Sequence, residues 1–543
     1  VATISAPGSG QDIRAGGAAE TSLSHPWDET RHPAAGSYAL SGPRVRTDPR
    51  ATPLGAREAN RLGVTRVLDA ARIPYFTVRG RGDHGTTLAV AEEYRDRALS
   101  ALRQDLADED AMLSLVLDPE GGTTEAAPCA ASRAWLDAHE ALAVHLAWHR
   151  SDPGGHLLLG DQYGCAVEFW RQEGDRLLAP RANRVTWAVA ADGPTVTGPA
   201  HLFSRFVSPW TPPELAPPLP TRPEFLVPTV EDITFPIDLV YTWVDGNDPA
   251  WQRRKAAVKG EVYHAESASD ARFISRDELR FSLRSVHLFA PWVRTVHIVT
   301  DDQTPAWLRT DVPGVRVVSH REIFTRPEDL PTFNSHSIES QLHHIDGLAE
   351  HFLYLNDDMF FGRPVTPHTF FGPTGVARYF PSRNRIPQGP VVETDTPVDA
   401  ACKNNRALLR QRFGRVITQP MEHAPYALRR SAMEEAERDF PEAWGRTAAS
   451  RFRAMTDLSP TSSMALYYAA LTGRALPSSL PFSYIQLAVP DLVARLDRLL
   501  IERDKDSFCL NDAFSLPEEV EAQQEVLDSF LHRYFPTPSP HER

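Results

Sequence analysis

Apolar positions fall into three regimes along the chain. Residues 1–56 mix Gly, Ala, Ser, Pro and Arg without a lasting period, and a disordered arm is expected there. From Arg57 a pattern sets in. Ala59–Ala71 and Glu92–Leu106 carry helical spacing; Tyr75–Val78, Leu142–Trp148, His156–Leu159, Cys165–Trp170 and Val185–Ala190 read as short strands punctuated by Gly and Asp. This predicts a small α+β domain over 57–205. Eight prolines between Pro209 and Pro228 then forbid a helix, so 206–231 is expected to be a semi-rigid linker.

Beyond it the pattern changes. Ile237–Val244 is a nearly unbroken β-rich apolar run that ends in Asp245-Gly246-Asn247-Asp248-Pro249. Further strands are expected at Thr295–Thr300, Val315–Ser319 and His351–Leu355, alternating with helices at Asp277–Ala290 and Glu339–Leu348. Such alternation predicts an α/β fold: a Rossmann-like, mostly parallel sheet with helical additions over 232–535, preceded by the small α+β domain. Ala400–Leu471 reads as helical, and 536–543, rich in Pro, Ser and His, as a flexible tail.

Ligands of open parallel sheets sit beyond the carboxyl ends of the strands. Three of these strands end in acidic residues: Asp245, Asp301-Asp302 and Asn356-Asp357-Asp358. A carboxylate there can hold a hard divalent cation; it can equally cap a turn. Glu339 and His343, four residues apart, share a helical face as a metal or proton-transfer pair or as a surface salt bridge, with His336 and His344 at the surface or behind them. Arg276, Arg280 and Arg284 recur every four residues, either a solvated stripe or a diphosphate contact.

Composition narrows the field. Fifty-seven basic against 71 acidic residues give a net charge of −14, which excludes a general nucleic-acid coat. No apolar run reaches a membrane span, so at most peripheral membrane contact is expected. The first ten residues lack a secretory signal, and a cytoplasmic location is expected. Four dispersed cysteines fit free buried thiols. Lysine occurs only at Lys255, Lys259, Lys403 and Lys505.

Four blocks appear in order: Ile237–Gly246; Arg276–Arg280 through Ala290-Pro291-Trp292-Val293 to Phe352–Asp358; His423-Ala424-Pro425, Phe440-Pro441-Glu442 and Arg453; and Cys509-Leu510-Asn511-Asp512. Together they resemble the Stealth family, which includes bacterial capsule and exopolysaccharide sugar-phosphate transferases and the catalytic subunit of animal GlcNAc-1-phosphotransferase. The resemblance implies transfer of sugar 1-phosphate from a nucleotide-diphosphate sugar, a UDP-sugar by preference, to a glycan hydroxyl, with Mg²⁺ or Mn²⁺ as cofactor. It implies metal-binding positions at Asp358 and Asp512, with Asp357 adjacent, catalytic ones at His423 and Glu339, and phosphate contacts from Arg453 and Arg406. Lys403 and Arg406 compete for the place of one family arginine. Asp245, Arg280 and Asn405 are the candidate donor contacts. Alternative readings are a metal-dependent nucleotide-sugar glycosyltransferase and a non-catalytic glycan-binding protein.

Overall fold

The computed structural model describes residues 44–543 apart from 108, 121, 132, 261–274 and 513–519; most of the expected arm lies outside the described residues. Order begins earlier than the apolar period suggests. A helix spans Pro53–Ala70, with Pro at its first position and the Thr52 hydroxyl accepting from the Gly55 N–H. Residues 53–56 are therefore helical rather than part of an arm.

The N-terminal sheet runs Val196–Gly198, Leu219–Thr221, Phe76–Val78, Thr86–Ala91, Cys165–Glu173, Ala143–Trp148, Ala111–Val116, Ala127–Pro128. Its second strand, Leu219–Thr221, comes from the proline-rich segment. Thr221 pairs with Thr77, and Leu219 and Phe225 are buried. The expected linker is thus part of the sheet: Leu219–Thr221 lies between Val196–Gly198 and Phe76–Val78, and the apolar residues between the prolines find a core.

The second sheet positions the site. Strands β1 (Ile237–Thr242), β2 (Val296–Thr300), β3 (Val315–Ser319) and β4 (His351–Asn356) are parallel in the order β3-β2-β1-β4. Helices α1 (Pro249–Lys259) and α2 (Glu278–Phe289) lie between β1 and β2 in the chain. Phe352, Leu353, Tyr354 and Leu355 are buried without alternation, as a strand covered on both faces requires. The chain runs outward from β1 to β3 and returns to β4 on the other side of β1, so strand order reverses beside β1. After Asn356 a turn leads into β5 (Met359–Phe361), which leaves this sheet for a smaller one.

Two expectations about helices fail. The helix expected over Glu339–Leu348 lies earlier, as α3 (Ser335–Glu339), because the Asn334 side chain caps it at the His336 N–H; a 3-10 turn follows at Leu342–His344. The helical reading of Ala400–Leu471 is interrupted by β6 (Tyr426–Arg429), an antiparallel partner of β4 that leads into α4 (Arg430–Asp439). The remaining strands, β7 (Phe482–Gln486) and β8 (Ser507–Asn511), complete the small sheet in the order β5-β8-β7.

Residues 536–543 are held, not loose. Glu542 accepts from Arg280 Nε (2.7 Å) and from Arg284 Nε and Nη2 (2.8 and 2.7 Å). The Arg309 and Arg543 N–H groups pair with His541 and Trp307 carbonyls. Two members of the every-fourth-residue stripe, Arg280 and Arg284, anchor residues 536–543, while the third, Arg276, pairs with Asp512.

Candidate active-site cleft

A cleft of about 860 Å³ opens at the carboxyl ends of β1 and β4, lined among others by Thr242, Trp243, Glu339, Asn356, Asp357, Asp358, His423, Arg453 and Asp512. This is the place where strand order reverses, the general ligand position in such sheets. Its size suits a nucleotide-sized ligand.

The β5–β8 pairing does the assembly. Met359 stands opposite Cys509, and the Leu510 N–H donates to the Asp358 carbonyl at 3.0 Å. Residues 150 apart in sequence thereby share one wall. Asp358 Oδ2 accepts from Asn511 Nδ2 at 3.2 Å and from the Cys509 thiol at 3.4 Å. Asp358 Oδ1 is buried with no hydrogen-bond partner among the described residues; His423 Nε2 stands 4.0 Å from it. Asp512 pairs with Arg276 at 2.7 Å.

Behind Asp358, burial and the Glu278 and Asp358 carboxyls push Asp357 well above the usual carboxylate range. Burial raises Glu278 itself to about 7, against hydrogen bonds that include the 2.6 Å one from the Arg276 N–H. Asp277, just before Glu278, takes a left-handed backbone (φ 61°), a conformation Asp adopts more readily than most residues. An orphaned carboxylate oxygen amid crowded carboxyl groups fits a hard cation with oxygen ligands, which would favour their ionised forms. Cys509 fits less well: burial and Asp358 push its thiol far above the usual range, so it stays protonated and donates.

His423 lies on the segment before β6, and its Nδ1 is 3.0 Å from the Tyr426 hydroxyl. Burial lowers its pKa, Asp358 opposing and Arg453 adding to the effect. Glu339, 6% exposed, sits at the end of α3. Its Oε2 accepts from Thr461 Oγ1 at 2.6 Å and its Oε1 is 3.5 Å from the Tyr354 hydroxyl. Burial raises it to about 7, although the Thr461 bond favours the anion. Arg453 donates to Ser335 Oγ at 3.1 Å from the rim.

Other expected contacts are elsewhere. Asp245 does not line the cleft; it shapes the turn, accepting from the Asn247 N–H while its own N–H donates to Gln303. Arg280 holds the chain end. Asn405 bridges the Ser459 backbone through both ends of its amide. Arg406 donates to the Gly389 carbonyl, and Lys403 pairs with Asp395 at 2.7 Å, so neither reaches the cleft wall. Lys403, Asn405 and Arg406 lie on the helix Pro397–Phe413, which lends Val398 and Cys402 to the cleft instead. His343 points away from Glu339, to Glu437. His336, expected at the surface or behind the Glu339–His343 pair, lines the cleft; burial and Arg453 lower it to about 3.

The chain's segments that build this cleft match the conserved regions of one family: "Stealth protein CR1, conserved region 1" at residues 235–263, CR2 at 272–379, CR3 at 422–470 and CR4 at 497–543. A protein named exopolysaccharide phosphotransferase from Streptomyces coelicolor is 70% identical over 501 residues, covering 92% of each chain. The chain belongs to the Stealth family. A second S. coelicolor protein of that name is 50% identical over 91% of this chain and 84% of its own. One from Mycobacterium tuberculosis is 37% identical over 91% and 89%. Every Stealth region contributes to the cleft: CR1 gives Thr242 and Trp243, CR2 gives Glu339 and Asp358, CR3 gives His423 and Arg453, and CR4 gives Asp512.

One end of the Stealth cleft is invisible to motif reading. Trp251 and Lys255 on α1 line it with Lys259, Phe333 and Phe452. The Phe333 and Phe452 rings stack at 5.5 Å, Trp251 meets Phe333 edge-on at 5.3 Å, and Lys255 and Lys259 lie 5.4 and 5.8 Å from the Trp251 and Phe452 rings. The available signal is rarity: two of the chain's four lysines are here. Glu278, Tyr426 and Asn511 are further cleft residues that carry no signature alone, and of the arginine stripe Arg276 alone lines the cleft.

Proposed function

We propose that this protein transfers sugar 1-phosphate from a nucleotide-diphosphate sugar, such as a UDP-sugar, to a glycan hydroxyl, forming a phosphodiester in an exopolysaccharide and releasing nucleoside monophosphate. The observation that carries the proposal is the meeting of Asp358, Asp512, His423, Glu339 and Arg453 in one cleft at the sheet's switch point. The relatives' names, exopolysaccharide phosphotransferase, agree with it.

The residues divide the work. The aromatic and lysine-bearing end, Trp251, Phe333, Phe452, Lys255 and Lys259, suits a nucleobase and the start of a diphosphate. Arg453, at the rim, faces the phosphoryl oxygens, where charge builds in the transition state. Asp358 and Asp512 would hold Mg²⁺ or Mn²⁺, which when bound neutralises the diphosphate.

His423 is the better base. With its ring proton on Nδ1, shared with the Tyr426 oxygen, Nε2 presents a lone pair to the cleft. Its lowered pKa keeps that lone pair available at neutral pH. Glu339 has neighbours at both oxygens and is almost fully buried, so it orients Thr461 and Tyr354 rather than meeting an acceptor hydroxyl. Tyr484, 45% exposed at the cleft with its ring 6.3 Å from His423, is placed to stack on the acceptor sugar.

The test uses donor labelled at the sugar-proximal phosphate. Label entering the polymer supports the proposal; label retained on nucleotide means glycosyl transfer and refutes it. His423→Ala and Asp358→Asn are expected to lower nucleoside monophosphate release at least ~100-fold with unchanged circular dichroism. Near-normal turnover in either removes that residue from its role.

A further inference from the structure

Away from the cleft, two imidazoles and a carboxylate converge. His343 and His344 are consecutive residues of the 3-10 turn Leu342–His344, and Glu437 lies on α4. Nε2 of His343 is 2.7 Å and Nε2 of His344 3.2 Å from the same oxygen, Glu437 Oε2. The three donor atoms all lie within 4.8 Å of one another. Neighbouring side chains on a 3-10 turn diverge by about 120°, so this convergence is not a by-product of sequence adjacency.

The protons fix its chemistry. His344 Nδ1 is 3.1 Å from the Ile323 carbonyl oxygen, which can only accept, so Nδ1 carries the hydrogen. In the neutral ring, Nε2 is then a lone pair turned toward a carboxylate oxygen. His343 is 2% exposed, and its Nδ1 has no hydrogen-bond partner among the described residues. One proton on His343 Nε2 satisfies the first contact with Glu437. The second contact needs another positive centre. Anchoring of a ring through its far nitrogen to a backbone carbonyl is the usual second layer of a metal-binding histidine.

We propose that His343, His344 and Glu437 form a site for a transition-metal dication of the Zn²⁺ class, distinct from the cleft. Two imidazoles and one carboxylate select Zn²⁺ or Co²⁺ over Mg²⁺. Bonds of about 2.0–2.2 Å at tetrahedral angles separate ligand atoms by roughly 3.3 Å, so Glu437 Oε2 moves outward from its 2.7 and 3.2 Å contacts as the ion enters. The side chains of His344 and Glu437 are 25% and 30% exposed, which leaves room for entry and for a water as fourth ligand. The ion ties the turn that follows Glu339 to the helix that follows Tyr426, clamping two segments behind the cleft wall.

The experiment uses the full chain, stripped with a chelator and titrated with Co²⁺, followed by visible absorption and by thermal unfolding. Asp358→Asn serves as the background in which the cleft carboxylate is disabled. We expect one tetrahedral Co²⁺ per chain, displaced by Zn²⁺ with a rise in Tm, in both wild type and Asp358→Asn. His344→Gln keeps the circular dichroism spectrum but binds at least tenfold more weakly. Equal binding by His344→Gln overturns the proposal. So does the absence of tetrahedral Co²⁺ in the wild type, which would make the second positive centre a proton on His344. Neither readout depends on transferase activity.

Discussion

Glu339 offers a thermodynamic handle on the cleft. Its carboxyl titrates at about 7 in the folded chain against 4.5 when unperturbed, burial being the main cause. A carboxyl raised in this way binds more protons folded than unfolded. Stability therefore falls as pH rises from about 4.5 to 7, and is flat beyond. At 1.36 kcal/mol per pH unit, the loss between pH 5 and pH 8 is roughly 2–3 kcal/mol. Glu339→Gln removes this titration while keeping an acceptor for Thr461. Urea unfolding of both proteins at pH 5 and pH 8 measures the difference of differences, in which pH-independent effects of the amide cancel. We expect the variant to gain roughly 2–3 kcal/mol on wild type between the two pH values, and to lose activity because Thr461 and Tyr354 are no longer set by an ionisable group. Parallel pH dependence in the two proteins would refute the reasoning, since it would mean that Glu339 ionises in the folded chain as easily as in water. A residue that costs stability at working pH and is nonetheless present is what a functional site often contains.

Two further outcomes follow from burial elsewhere. Glu542→Ala removes the carboxylate partner of the Arg284 guanidinium, whose side chain is 5% exposed and keeps the Phe535 carbonyl as an acceptor, and is expected to cost on the order of 3 kcal/mol in urea unfolding; a change below about 0.5 kcal/mol would return the last residues to the status of a loose tail. The four cysteines are buried and unpaired, and burial pushes the Cys129 and Cys165 thiols to about 12 and Cys402 to about 11. Native protein at pH 8 should therefore react with a thiol reagent at none of them, and urea-unfolded protein at all four; fast native labelling would show that a thiol is accessible.

Periodicity and strand-end chemistry are local quantities, and they carry far. Unbroken apolar runs such as Phe352–Leu355, short and bounded by turn residues, fit strands covered on both faces, and acidic residues after such runs point to the ligand edge. The four ordered blocks then name the family. What local pattern does not contain is which distant segments meet. Asp358 and Asp512 become neighbours through the register of β5 on β8, a pairing spelled in backbone hydrogen bonds rather than side chains. The same holds for the errors. Arg280 looks like a diphosphate ligand until Glu542 arrives from 262 residues away. The prolines of 206–231 look like a linker until Thr221 pairs with Thr77. His343 looks like a partner of Glu339 until the helix ends early and turns it to Glu437. A charged side chain in a sequence has no direction; its role is set by whichever opposite charge the fold brings within reach, and by how much water is left between them.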